Sequence, residues 1–152
     1  MNNNESTRMS DVRFFEIAKW FETLSPKSLD SVGEIYASDA VFIDPFNEIK
    51  GVTLVRAVYQ HMFDTLVDPR FVITKSVSAH QSGFMTWDFH FEIRGEAMCI
   101  SGCTQFELND AGLITLHQDY WDPSQQIYER IPLLGSVLRW LRRKLALPIQ
   151  KI

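Results

Sequence analysis

The sequence predicts an α+β domain in which helices pack on one side of an antiparallel sheet. In the first third of the chain, apolar residues recur at intervals of three and four, which is typical of amphipathic helices. In the middle, Phe84–Arg94 alternates between apolar and polar side chains, as a half-buried strand does. Because the helices come first and the strands follow as a group, we expect one domain with a helical layer and a sheet layer.

Three helices are predicted before the main strands, at residues 10–24, 28–36 and 52–68. Ser10 or Asp11 can cap the first helix, because their side chains accept hydrogen bonds from free backbone N–H groups. Pro26 prevents this helix from continuing. Ser28 is the expected N-cap of the second helix.

A short strand is predicted between the second and third helices, stopping at Asp44-Pro45. Four longer strands should follow the third helix: Phe71–His80, Phe84–Arg94, Ala97–Leu108 and Leu113–Trp121. The residues Asn109–Gly112 have the composition of a hairpin connection between the last two. The strands are therefore expected to pair antiparallel.

Composition indicates one globular domain with an extension at each end. The chain has 152 residues, of which 45% are hydrophobic and 22% charged. Residues 1–9 are polar and predicted to form a disordered leader, and residues 10–122 the domain. No apolar run reaches the roughly 18 residues of a membrane span, and the N-terminus lacks an apolar signal segment, so a cytoplasmic location is expected. Cys99 and Cys103 are too far apart along one strand to pair and are predicted to be free, partly buried thiols.

The charges of the chain are unevenly distributed. Residues 1–122 carry 9 Lys/Arg and 18 Asp/Glu, whereas residues 123–152 carry 6 and 1. An acidic body with a basic extension differs from a nucleic-acid-binding domain, in which basic residues cover a folded face. We therefore expect no nucleic-acid partner.

The basic extension, residues 123–152, contains a second amphipathic pattern. A short helix is predicted at Ser124–Arg130 and a longer one at Leu133–Leu147. The longer helix has an apolar face of Leu134, Val137, Leu138, Leu141 and Leu145 and an opposite face of Arg139, Arg142, Arg143 and Lys144. Two interpretations stay open: a helix packed on the domain with a solvated basic face, or a surface helix that contacts anionic lipid or an acidic partner.

The stretch Tyr36–Pro45, with the sequence YASDAVFIDP, is the most informative motif. It places the carboxylate of Asp44 beside an apolar segment. A carboxylate in apolar surroundings takes up protons more readily than one in water and can transfer them near neutral pH. The alternative is a turn in which Asp44 caps backbone N–H groups.

Together with a helix that opens after Gly51 and the terminal strands in FELNDAGLITLHQDYWD (Phe106–Asp122), this motif resembles the nuclear transport factor 2-like superfamily. The similar branch is that of the ketosteroid isomerases and SnoaL-like polyketide cyclases. The resemblance implies a curved antiparallel sheet wrapped by three helices into a cone, with an apolar pocket inside. It also implies a homodimer through the outer face of the sheet.

The resemblance further implies a set of pocket residues. Asp44 falls on the general base of the isomerases. Trp20 and Thr104 replace the tyrosine and the protonated aspartate that bind the substrate oxyanion, so steroid isomerisation itself is not expected. The other implied pocket residues are Tyr36, Tyr59, Trp87, Phe89, His117, Asp119 and Trp121. His117 and Asp119 share one face of their strand, although the more apolar face is the opposite one, with Ile114, Leu116 and Tyr120.

Two classes of function remain. The first is a small-molecule-binding enzyme that isomerises, cyclises or hydrolyses an apolar substrate without a cofactor, with Asp44 as base and His117 and Asp119 orienting substrate or water. The second is a non-catalytic ligand-binding or dimerisation module, or a lipid-ligand binder that contacts membranes through its basic helix. No His, Asp and Glu residues show metal-ligand spacing, so no metal is predicted.

Overall fold

The computed structural model describes residues 3–128 and 134–145, with side chains described for 11–128 and 135–145. The chain divides into two compact units, Met1–Trp121 and Asp122–Ile152. Within the described ranges, the first unit contains helix α1 (Asn3–Glu22), a 3₁₀ helix (Lys27–Glu34), strands β1 (Tyr36–Ile43) and β2 (Glu48–Lys50), helix α2 (Val52–Thr65), and strands β3 (Val67–Ala79), β4 (Ser82–Ile93), β5 (Glu96–Leu108) and β6 (Ile114–Tyr120). The described part of the second unit contains the short helix α3 (Pro123–Gln126) and helix α4 (Leu134–Leu145).

The six strands form one curved sheet in the order β2-β1-β6-β5-β4-β3. Its strands pair antiparallel, except that β1 and β6 run parallel. The α+β prediction is confirmed, while the parallel pair was not predicted. Since β1 comes from the helical third of the chain and β6 from the last hairpin, local sequence contains no signal for their pairing.

The main core lies between the concave face of this sheet and the helices. Helix α1 buries Phe14, Ile17 and Phe21 on one face, as its apolar spacing predicts. On the sheet side, Met85 and Phe106 are 1% exposed and pack in the same cluster. The outer face of the sheet is mixed, with Val72, Phe84 and Tyr120 exposed. Homodimerisation through that face stays a prediction.

The leader, the second helix and the short strand β2 are among the places where the structure differs from the sequence expectations. Helix α1 begins at Asn3, so residues 3–9 of the predicted disordered leader are helical; this stretch contains no Gly or Pro that would stop the helix. The second helix is a 3₁₀ helix that ends at Glu34, and Tyr36, predicted at a helix end, opens strand β1. Strand β2 was not predicted, because three residues are too few to show alternation.

A close contact between strand β4 and helix α1 requires glycine at position 83. A Cβ atom built on Gly83 would lie 2.4 Å from the ring of Phe14, which is itself 1% exposed and held in the core. We expect Gly83→Ala to lower the free energy of unfolding by about 1–3 kcal/mol, the usual cost of overpacking. Chemical denaturation measures this, with Gly33→Ala as control because nothing lies within 4 Å of its Cβ position. Equal stability of the two variants would contradict the packing argument.

Within the ranges that the structure describes, no helix is long and apolar enough to cross a membrane.

Candidate functional site

A line of hydrogen bonds runs through the interior of the first unit. The hydroxyl groups of Tyr59 and Tyr36 lie 2.8 Å apart, and the Tyr36 hydroxyl lies 2.7 Å from Nδ1 of His117. On the other side of the ring, Nε2 of His117 lies 2.9 Å from Oδ1 of Asp119. His117 is 3% exposed, so both of its ring nitrogens have their partners inside the protein.

The line continues from Asp119 to strands β5 and β4. The Thr104 hydroxyl donates to Oδ1 of Asp119 over 2.5 Å, and the indole Nε1 of Trp87 donates to the Thr104 hydroxyl over 2.8 Å. We call the six connected side chains the interior network: Trp87, Thr104, Asp119, His117, Tyr36 and Tyr59.

Strand register explains why these residues meet. Thr104 is paired with Asp119 across β5 and β6, and Phe106 with His117. The parallel pairing of β1 with β6 sets Phe42 beside His117, with ring centroids 4.5 Å apart. His117 and Asp119 therefore point into the domain, as the family resemblance implied and contrary to the local apolar pattern. Ile114 is buried as well, although it is three residues from His117 and strict alternation would place the two on opposite faces. The register shift between Glu107 and Leu108 marks a bulge that lets both side chains point inward.

The direction of the hydrogen bonds follows from the chemistry of the end groups. An indole N–H can only donate, so the Thr104 oxygen accepts from Trp87 and its own proton goes to Asp119. If neutral His117 also donates from Nε2 to Asp119, its Nδ1 must accept from Tyr36. Tyr59 then donates to Tyr36.

One oxygen of the Asp119 carboxylate is left available. Oδ1 accepts from His117 and Thr104, whereas Oδ2 has no partner within the described part of the chain. The side chain of Asp119 is 16% exposed, compared with 4% for His117. Asp119 thus presents a free, accessible lone pair on a side chain that is otherwise fixed.

Aromatic rings enclose the network. Besides Phe42, the rings of Phe106 and Phe21 pack edge-on against His117, at centroid distances of 4.9 and 5.8 Å. Burial raises the pKa of the Tyr36 and Tyr59 hydroxyls well above the usual value near 10, and the negative charge of Asp119 raises both further. Both tyrosines therefore stay protonated donors throughout the physiological range.

These raised pKa values predict a loss of stability in alkali. The folded state keeps protons that the unfolded chain releases above its tyrosine pKa of about 10, so the stabilisation is complete below that pH and decreases above it. We expect the free energy of unfolding to fall from about pH 10 upward, and to fall less steeply in Tyr59→Phe. Denaturant titrations at several alkaline pH values measure the slope. Tyr120→Phe, at a tyrosine 47% exposed, is the control; identical slopes in wild type and Tyr59→Phe would contradict the prediction.

Trp20 contributes an unused donor beside the network. Its indole Nε1 is buried and is the one buried side-chain nitrogen or oxygen without a hydrogen-bond partner among the described residues. The indole ring packs edge-on against Tyr59 and Tyr36, at centroid distances of 5.9 and 6.2 Å. A buried donor without an acceptor is costly in a folded protein. This N–H is therefore available to an oxygen that enters from outside.

Asp44 lies in a turn at the end of β1. Its Oδ1 accepts hydrogen bonds from the backbone N–H groups of Phe46 and Asn47, at 2.7 and 2.6 Å. The Asn47 side chain donates to both carboxylate oxygens. This is the capping arrangement that the sequence left open as the alternative. The negative charge of Asp44 also contributes to the raised pKa of Tyr59.

The remaining predicted pocket residues lie outside the network. Phe89 stacks on Phe71 at 4.5 Å, and Trp121 packs edge-on against Phe46 at 5.5 Å. Within the described ranges, no three His, Cys, Asp or Glu side chains lie close enough to hold a metal ion. Both cysteines are free, and Cys99 is exposed rather than partly buried.

Sequence reasoning missed two contributors. Asn47, which fixes both Asp44 oxygens, could have been noticed as a turn residue after Pro45. Phe106, which packs on His117, is recognisable only when the β5–β6 register is known.

Comparison with known proteins identifies the family of this chain. Residues 17–117 match the family model of the SnoaL-like domain. The matched range contains α1 from Ile17 onward and most of the interior network. The chain belongs to the SnoaL-like domain family. A comparison with the curated proteins found no match.

Solved structures resemble this SnoaL-like protein in fold. A LEH-like epoxide hydrolase from M. tuberculosis is 18% identical, with a TM-score of 0.65, covering 89% of this chain and 95% of that one. A candidate polyketide cyclase from Xanthomonas campestris is 14% identical, with a TM-score of 0.67 and coverage of 80% and 96%. A protein of ketosteroid isomerase-like fold from Catenulispora acidiphila, in complex with trimethylamine, is 17% identical, with a TM-score of 0.63 and coverage of 71% and 85%. At these identities the likeness establishes the cone fold.

Proposed function

We propose that this SnoaL-like protein is a cofactor-independent enzyme that moves a proton within a small, largely apolar molecule that carries a carbonyl oxygen. The observation that carries the proposal is the interior network with its free Asp119 oxygen. Burying several polar groups is unfavourable unless each has a partner. Every member of the interior network has a hydrogen-bond partner. The one carboxylate oxygen without a partner in the described part of the chain, Oδ2 of Asp119, is accessible.

Asp119 is the proposed proton acceptor. Its Oδ2 takes a proton from a carbon next to the substrate carbonyl, and the electron pair of that C–H bond moves to the carbonyl oxygen as an enolate forms. Return of the proton to another carbon isomerises the substrate. Alternatively, the enolate carbon attacks a second carbonyl and closes a ring, and the alkoxide formed there takes the proton back from Asp119. His117 and Thr104 act as positioning residues, since both hold Oδ1 and leave Oδ2 directed away from them.

Trp20 is the proposed donor to the substrate oxygen. Its buried N–H lacks a partner among the described residues, and the indole lies beside the ring of Tyr59. Donors fixed before reaction stabilise a developing oxyanion more than mobile water does. The aromatic rings around His117 favour an apolar substrate body.

This proposal gives Asp44 a smaller role than the sequence predicted. Three hydrogen bonds from the turn and its Asn47 amide converge on Oδ1 of Asp44. Asp44 then serves as a fixed negative charge at the end of β1. The assignment of Asp44 as the base stays a prediction, which the Asp44→Asn variant examines in the proton-exchange assay.

The test uses 2-tetralone, a bicyclic apolar ketone with readily exchanged protons next to its carbonyl group. We expect the protein to accelerate exchange of these protons with D2O, measured by proton NMR against a buffer control. Styrene oxide, assayed in parallel, reports on hydrolysis, because a LEH-like epoxide hydrolase has a similar fold. If 2-tetralone quenches tryptophan fluorescence but neither reaction is accelerated, the protein is a non-catalytic binding module and the proposal fails.

A further inference from the structure

Helix α4 contains an unbroken apolar row. Val137, Leu141 and Leu145 follow one another at intervals of four, so they lie along one side of the helix within about 80° of arc at 100° per residue. Leu138 lies about 20° beyond the Leu145 edge of this arc. The apolar row is exposed: Val137 is 54%, Leu141 44% and Leu145 87% accessible.

Positive charge borders this row on both sides. The described helix contains Arg139, Arg142, Arg143 and Lys144 and no acidic residue. At the same angular spacing, Arg142 lies next to one edge of the row and Lys144 next to the other. Long cationic side chains at the edges of an apolar strip can extend toward headgroups while the strip enters the acyl region.

Trp140 strengthens this arrangement. The indole is 52% exposed, and the Lys144 ammonium lies 5.7 Å from the ring centroid. An exposed aromatic ring with a polar N–H suits the boundary between lipid headgroups and acyl chains. Trp140 falls on the side of Lys144, where the apolar row meets the basic face.

We propose that α4 docks the protein on the surface of a membrane that contains anionic lipid. A 12-residue helix is about 18 Å long at 1.5 Å per residue, too short to span a bilayer of about 30 Å, so the helix lies in the interface. The phosphate groups of a nucleic acid would pair with the arginines but leave the apolar row in water. Lipid accommodates both the charge and the apolar row, which favours it over nucleic acid.

The experiment is co-sedimentation of the full chain with vesicles of phosphatidylcholine alone and with 30% phosphatidylglycerol (a generic anionic lipid, roughly the fraction that creates a strong surface charge). We expect at least about tenfold stronger binding to the anionic vesicles, decreasing with salt because surface charge is screened. Arg142→Gln/Arg143→Gln/Lys144→Gln, which keeps good helix formers, should lose most of this binding. Val137→Ser/Leu141→Ser should also lose it, although its charge is unchanged.

Matched control variants remove the same kinds of side chain, exposed basic and exposed apolar ones, from the first unit. Lys27→Gln/Lys50→Gln/Lys75→Gln deletes three exposed charges, and Val72→Ser/Val77→Ser deletes two exposed valines. Both controls should bind anionic vesicles like the wild type. Equal binding to both vesicle types, or equal losses in controls and α4 variants, would overturn the proposal. So would binding to polyuridylate that needs the arginines but not Val137 and Leu141, which would indicate a nucleic acid.

Discussion

Asp119→Asn should reduce the exchange of 2-tetralone protons by about a hundredfold to ten-thousandfold, the range typical of a lost general base. Asparagine has nearly the same shape as aspartate, and its carbonyl oxygen can still accept from Thr104 and His117. The fold should therefore be preserved while the free oxygen loses its basicity. Rates of exchange in D2O, measured by NMR at saturating and at low ketone, separate the loss of rate from a loss of binding.

Two further carboxylate variants make this prediction specific. Asp39→Asn changes an exposed carboxylate on strand β1 and should retain the wild-type rate. Asp44→Asn keeps an oxygen that can accept from Phe46 and Asn47 and should cost much less than Asp119→Asn. If Asp44→Asn costs as much as Asp119→Asn, the base is wrongly assigned. If Asp119→Asn keeps full activity, Asp119 does not transfer the proton.

The fold could be predicted largely from local patterns, because most of its elements have an interior face. Strand β4 shows this most clearly: Met85 and Trp87 are buried, whereas Phe84, on the opposite face of the strand, is exposed. The parallel pairing of β1 with β6 depends on contacts between residues that are far apart in the chain, such as Phe42 and His117, which are 75 positions apart. Such contacts leave no trace in the periodicity of either strand.

The candidate site depended on that pairing. Local pattern favoured Leu116 and Tyr120 as the buried face of β6, yet the structure buries His117 and leaves Tyr120 exposed. The physical reason is that hydrogen bonds to Tyr36 and Asp119 replace those that His117 would make to water, so this polar ring can lie among apolar side chains. Only the family resemblance indicated this direction. Neither source suggested that Trp87 would donate to Thr104, which requires the β4–β5 register.

His117→Phe should lower the free energy of unfolding by about 2–5 kcal/mol, although phenylalanine fits the aromatic surroundings. The substitution leaves the Tyr36 hydroxyl, which is 1% exposed, without its acceptor at 2.7 Å. It also removes the nitrogen that lies 2.9 Å from the Asp119 carboxylate. Unsatisfied buried polar groups are more costly than the hydrogen bonds themselves are stabilising. Urea denaturation followed by tryptophan fluorescence measures the loss.

A double-mutant cycle separates the unsatisfied hydroxyl from general repacking. Tyr36→Phe/His117→Phe removes both partners of the 2.7 Å hydrogen bond, so no buried hydroxyl is left at position 36. We therefore expect the double variant to be at least about 1 kcal/mol more stable than the sum of the single losses predicts. Additive losses would mean that the Tyr36–His117 contact contributes through ring packing alone. In that case this hydrogen bond would not link the tyrosine pair energetically to His117 and Asp119.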